Sequence, residues 1–153
     1  MSDTPEQQLK TFMGAFTPDM GKQIRAARKR MRALFPCGFE LVYDNYNALA
    51  IGYGATQRAS DVVLSIAAYP RWVSLFFLRG AAFADPQGVL QGSGNQVRHI
   101  VLDSGMTAFD APEVRHFIAL AMSPQADALA RAQKLQTVIK SVSAKQRPRR
   151  PDE

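Results

Sequence analysis

Between Phe39 and Leu78 four short runs rich in Val, Ile, Leu, Tyr, Trp and Phe follow one another with turn residues between them. That composition suits a pleated, packed surface, and the close spacing predicts an antiparallel meander. In the first hairpin Leu41, Tyr43, Leu49, Ile51 and Tyr53 alternate along two strands and are expected on one large apolar face. Glu40, Asp44, Ala48, Ala50 and Gly52 are then expected on the other. Asp44-Asn45-Tyr46-Asn47 reads as the turn, because Asp and Asn tolerate left-handed backbone and bond their own main chain. The next two strands, Val63 to Tyr69 and Trp72 to Leu78, are apolar on both faces and so belong at the sheet centre. Pro70-Arg71 links them, and Val97 to Leu102 reads as a fifth strand.

The flanks read as helices. Leu9, Phe12, Met13 and Phe16 recur at helical spacing within Glu6 to Phe16. Thr17-Pro18-Asp19 then opens a helix to about Phe35, with Thr17 as N-cap, Pro18 at the first position and Asp19 in the first turn. Met20, Ile24, Ala27, Met31 and Leu34 form its apolar stripe, and Lys22, Arg25, Arg28, Lys29, Arg30 and Arg32 fill the rest. After the fifth strand, Asp110-Ala111-Pro112-Glu113 starts one helix. Ser123-Pro124 starts another running to about Val142, with Ala128, Leu129, Ala132, Leu135, Val138 and Ile139 inward. The loop Gly80 to Gln96 is long for a compact domain; Asp85-Pro86-Gln87-Gly88 reads as a turn in it, and Phe83, Val89 and Leu90 as its anchors. The fold class is therefore α+β, a five-stranded antiparallel sheet with N- and C-terminal helices on one face, forming a single domain over residues 1–143. Residues 144–153 have no apolar anchor and are expected to be a basic, disordered tail.

A chain of 153 residues with 46% hydrophobic content can bury a core without metals or disulfides, and its one cysteine makes no internal disulfide. With neither a leader pattern nor an apolar run long enough for a membrane helix, the expectation is a cytoplasmic protein with no membrane contact. The net charge of +6 divides as +4 over residues 1–37, −1 over 38–139 and +3 over 140–153. Attraction to polyanions would thus belong to the first long helix and the tail.

The segments FELVYDNYNALAIGYG, YPRWVSLFF and DPQGVLQGSGNQVRHIVL, with the terminal helical pair, resemble the YdhG-like family, a bacterial domain of unknown function, over residues 18 to 122. The resemblance implies an α+β fold related in outline to frataxin and no established activity. Some relatives are described as frataxin-like iron chaperones, a role implying carboxylates clustered on the first helix and first strand edge. The matching helix here instead carries six Lys or Arg and only Asp19.

Chemistry-bearing groups are sparse. His99, His116 and Cys37 lack ligand spacing, so no metal site, cofactor or catalytic set is expected. Cys37 follows a helix C-terminus, where the dipole disfavours a thiolate. Gly88, Gly92 and Gly94 lead into a strand and read as turn residues rather than a phosphate loop. Two surfaces remain. Arg25, Arg28, Lys29 and Arg32, helped by Arg147, Arg149 and Arg150, are candidates for weak phosphate-backbone contact. Tyr43, Asp44, Asn45, Asn47, Tyr53, Tyr69, Arg71, Trp72 and Arg98 combine arginine with aromatic side chains, as sites for carboxylate, phosphate or flat ligands do. The turns at Asp44 to Asn47 and Pro70 to Arg71 are expected to share one rim of the sheet. The function expected is a non-enzymatic binding or adaptor module for a small anionic ligand or peptide. The alternatives are a nucleic-acid accessory protein using the basic helix and an iron chaperone; the oligomeric state is left open.

Overall fold

The computed structural model describes residues 3–151 and is an α+β fold. Helix α1 (Pro5–Gly14) is closed at its start by a capping box in which Thr4 and Gln7 bond each other's backbone N–H. Helix α2 (Pro18–Leu34) follows, with the Thr17 hydroxyl accepting from the Met20 N–H as its sequence requires. Strands β1 (Phe39–Asp44), β2 (Leu49–Gly54), β3 (Val62–Ala68) and β4 (Val73–Phe77) make the meander, and β5 (Arg98–Leu102) adds to β4. The helices α3 (Thr107–Asp110), α4 (Pro112–Met122) and α5 (Ala126–Arg131) precede a sixth strand, β6 (Gln136–Val142).

The sheet therefore has six strands in the order β5-β4-β3-β2-β1-β6, and it is mixed, because β6 runs parallel to β1. This corrects the expected five-stranded antiparallel sheet and the expected helix from Ser123 to Val142. The helix stops at Arg131, and Ala132 is already extended at ψ 157°. Leu135, Val138 and Ile139 fit a helical stripe by spacing, but Thr137, Val138, Ile139 and Val142 are β-branched, and pairing with β1 decides between the two.

Register corrects a second expectation. Glu40 lies opposite Tyr53, Val42 opposite Ile51 and Asp44 opposite Leu49. Cross-strand partners project to the same side, so Glu40 and Asp44 share the face of Leu49, Ile51 and Tyr53. Leu41 and Tyr43 share the other face with Gly52 and Ala50. The first face is the covered one: Val42, Leu49, Ile51, Tyr53, Leu64, Ile66, Leu75, Phe77, Ile100 and Leu102 form one core with Leu9, Ile24, Met31, Phe109, Phe117 and Ile118 of the helices. Gly38, at φ +108°, enters β1 with no room for a side chain, since a Cβ there would lie 2.3 Å from the Gly54 carbonyl oxygen.

The long loop closes a corner of this core. Phe83 stacks on Phe117 at 6.0 Å and meets Phe77 edge-on, and the Asp85 carboxylate accepts from the Val89 and Leu90 N–H groups. Gln91 then pairs with His99 at the free edge of β5. Residues 144–151, for which the sequence predicts disorder, lie along the β1–β2 turn. The Arg147 N–H donates to the Tyr46 carbonyl and the Gln146 amide to the Asp44 carbonyl, and Arg149 is buried. Among the described residues no helix is long and apolar enough to cross a membrane.

Candidate functional site

Two polar centres stand out on opposite ends of the covered face, and the first accounts for half of the candidate polyanion contacts. Glu40 is fully buried, and its carboxylate accepts five hydrogen bonds. Arg28 Nε and Nη2 donate at 2.9 Å each, Arg32 Nη1 and the Thr137 hydroxyl at 2.7 Å, and the Tyr53 hydroxyl at 2.5 Å. Arg28 also forks onto Glu6 of α1 through Nη1 and Nη2. Arg28 and Arg32 are one helical turn apart on α2 and both reach β1, so they tie α1 and α2 to Glu40, onto which Tyr53 of β2 and Thr137 of β6 also converge. Arg25 and Lys29 remain exposed, while Arg30 pairs with Asp110. Three of the six basic residues of this helix are thus internal braces, and Lys22, Arg25 and Lys29 face solvent. Tyr53, offered above as a ligand contact, belongs to this network.

Burial pushes the Glu40 carboxyl up, but the hydrogen bonds from Arg28, Tyr53 and Thr137 outweigh it and hold the group below its ordinary value of 4.5. A carboxylate lowered on folding contributes stability that is present above pH 4.5 and is lost as pH falls through its folded-state value. Acid unfolding followed by circular dichroism is expected to set in below that ordinary value. Glu40→Ala, itself less stable at neutral pH, is expected to show a flatter acid limb. An acid limb of unchanged slope would remove Glu40 as its source.

The second centre lies where β1, β3 and β6 all point. Because β6 is parallel to β1, the chain leaving it arrives beside the β1–β2 turn, and the β3–β4 turn stands at the same end of the sheet. The Tyr69 N–H donates to the Trp72 carbonyl at 2.8 Å, closing the Pro70-Arg71 turn and stacking the two rings 4.6 Å apart at 17°. Arg149 fixes the tail. Its guanidinium donates to the Asp44 carboxylate at 2.9 Å and to the Asn45 and Tyr46 carbonyls, and it lies over the Phe16 ring. A cavity of about 630 Å³ opens between turn and tail, lined by Asn47, Tyr69, Pro70, Arg71, Trp72, Arg147, Pro148, Arg150 and Pro151. Three of these residues are arginines and none is acidic. Among the described residues Arg71, Arg147 and Arg150 form no ion pair with a carboxylate.

The expected shared rim is therefore present, with Asn47, Tyr69, Arg71 and Trp72 together in one groove. Asp44 and Asn45 sit behind it as the anchor for Arg149. Tyr43 is on the sheet face away from the helices, its buried hydroxyl without a partner among the described residues. Arg98 is at the other end of β5 from the groove, opposite Phe77, where it donates to the Gly94 and Val97 carbonyls. Arg147, Pro148, Arg150 and Pro151 complete the groove, and a reading that treats the tail as disordered misses them as a wall. The signal available in the sequence is the alternation of Arg with Pro, whose fixed φ gives a stiff extended segment. No group of three or more His, Cys, Asp or Glu converges on a possible metal position among the described residues. The chain matches no family model, no curated protein and no solved structure.

Proposed function

We propose that this protein is a cytoplasmic, YdhG-like binding module without catalytic activity, which captures a small anionic ligand or peptide in the groove between the β3–β4 turn and the C-terminal tail. The observation that carries the reading is a cavity of about 630 Å³ in which three arginines and a stacked Tyr–Trp pair meet no carboxylate among the described residues. Guanidinium groups recognise carboxylate and phosphate through paired donors, and the exposed Trp72 ring offers a flat apolar surface beside them.

Trp72 is the sole tryptophan, so its fluorescence reports on the groove directly. Titration with nucleoside monophosphates, aromatic carboxylates and acidic peptides is expected to change that emission and raise the melting temperature for at least one class. Arg71→Ala is expected to weaken that ligand by roughly ten- to a hundredfold, the worth of one charge-assisted hydrogen bond. A folded sample that responds to none of these classes, or a ligand indifferent to Arg71→Ala, would refute the assignment.

A further inference from the structure

Among the described residues the exposed large aromatic side chains are Tyr46 at 48% and Trp72 at 40% exposure, and both stand at this end of the molecule. They occupy the tips of two hairpins whose turns are separated by two strand spacings, ~10 Å across the sheet. Each platform has cations beside it. Trp72 stacks on Tyr69 next to Arg71, and the Arg147 guanidinium lies 5.7 Å above the Tyr46 ring. Arg150, held by a bond from its Nε to the Ala15 carbonyl, lines the groove between the turn and the tail.

Two flat surfaces carried on turns two strand spacings apart, with guanidinium groups alongside, match a ligand that carries two planar rings joined by an anionic linker. An acidic peptide would satisfy the arginines and leave both rings unused. Duplex nucleic acid hides its rings inside its own stack and would likewise leave them unused. An extended single strand presents unstacked bases and phosphates in this alternation, and aromatic platforms in charged grooves hold such strands with little regard to sequence.

Resting on the groove assignment above, we infer that the partner is single-stranded nucleic acid, with one base on Trp72, a second on Tyr46 and the intervening phosphates on Arg71, Arg147 and Arg150. DNA and RNA share this chemistry.

The test follows Trp72 emission in the full chain titrated with thymidine monophosphate, a short oligothymidylate, the matching oligouridylate and a duplex of similar length. An oligomer of either sugar is expected to bind at least about tenfold more tightly than the monophosphate, since a second stacked base adds roughly that factor. Whichever oligomer binds more tightly identifies the natural source, and equal affinity marks a site indifferent to the sugar. Tyr46→Ala is expected to bring the oligomer-to-monomer affinity ratio close to one. Raising salt from about 50 to about 200 mM is expected to lower log affinity with a slope of about −2, as three phosphate contacts on a single strand require. Monophosphate binding with no gain for either oligomer, or a ratio unmoved by Tyr46→Ala, would overturn the strand proposal and leave the groove assignment standing. Duplex binding at or above the oligomer's affinity would overturn it in favour of backbone docking, and no response to any of these nucleic-acid probes would overturn the strand proposal while leaving the groove assignment to its own test with aromatic carboxylates and acidic peptides.

Discussion

Glu40→Ala is expected to lower the unfolding free energy by about 3–5 kcal/mol, the range seen when one partner of a buried ion pair is removed. Five donors converge on this carboxylate, and two belong to Arg28, whose side chain is 11% exposed and whose other carboxylate, Glu6, sits half-exposed at the rim. Deleting Glu40 leaves a guanidinium largely out of water with one peripheral partner. It also strands the Tyr53 hydroxyl, which is fully buried. Glu40→Gln is expected to cost nearly as much despite its shape, because every contact points a donor at the carboxylate and an amide nitrogen accepts nothing. Urea unfolding checks both variants through the shift in midpoint at constant slope. A loss below about 1 kcal/mol for Glu40→Ala, the ordinary size for a point mutation, would show that water enters and replaces the network.

Arg149→Ala is expected to abolish ligand capture while lowering stability by only about 1–3 kcal/mol, the range for removing one partner of a hydrogen-bonded group. The difference between these effects follows from where Arg149 sits. It supplies the only side-chain partner of the buried Asp44 carboxylate among the described residues, together with bonds to the Asn45 and Tyr46 carbonyls. Without it the tail is held only by the Gln146 and Arg147 contacts with the β1–β2 turn and the long, exposed bond from Arg150 to the Ala15 carbonyl. Once the tail lifts, water reaches Asp44 and limits the stability loss. The groove has no such compensation, because Arg147, Pro148, Arg150 and Pro151 are one of its walls. A double-mutant cycle with Asp44→Ala should then return a coupling energy of about 1–3 kcal/mol, as for residues in direct contact. Arg149→Ala protein that still quenches Trp72 with wild-type affinity would show that the tail is dispensable to the site.

The meander, its turns and the two N-terminal helices are legible along the chain because each rests on local rules. Thr17-Pro18 caps a helix by its own chemistry, Pro70-Arg71 bends the backbone wherever it occurs, and β-branched runs favour extended backbone. Of the expected rim, Asn47, Tyr69, Arg71 and Trp72 were legible for the same reason, since turns of a meander fall at one end of the sheet, whereas Tyr43, Tyr53 and Arg98 lie elsewhere. What local rules leave open is a matter of parity and of partners. Alternation along β1 separates Glu40 from Leu41, but which of them faces the helices depends on the register with β2, and a shift of one residue inverts the answer. Leu135 to Val142 has the spacing of a helical stripe but the β-branched residues of a strand, and pairing with the open edge of β1 selects the strand. By the same token RPRRP has no apolar anchor of its own and stays put because Asp44, fixed by the sheet at 5% exposure, needs a cation. The sequence by itself determined which segments become helix, turn and strand through the first five strands. Tertiary structure decided which arginines are braces and which remain available, because an ion pair between residues far apart in the chain exists only once the sheet has brought them together.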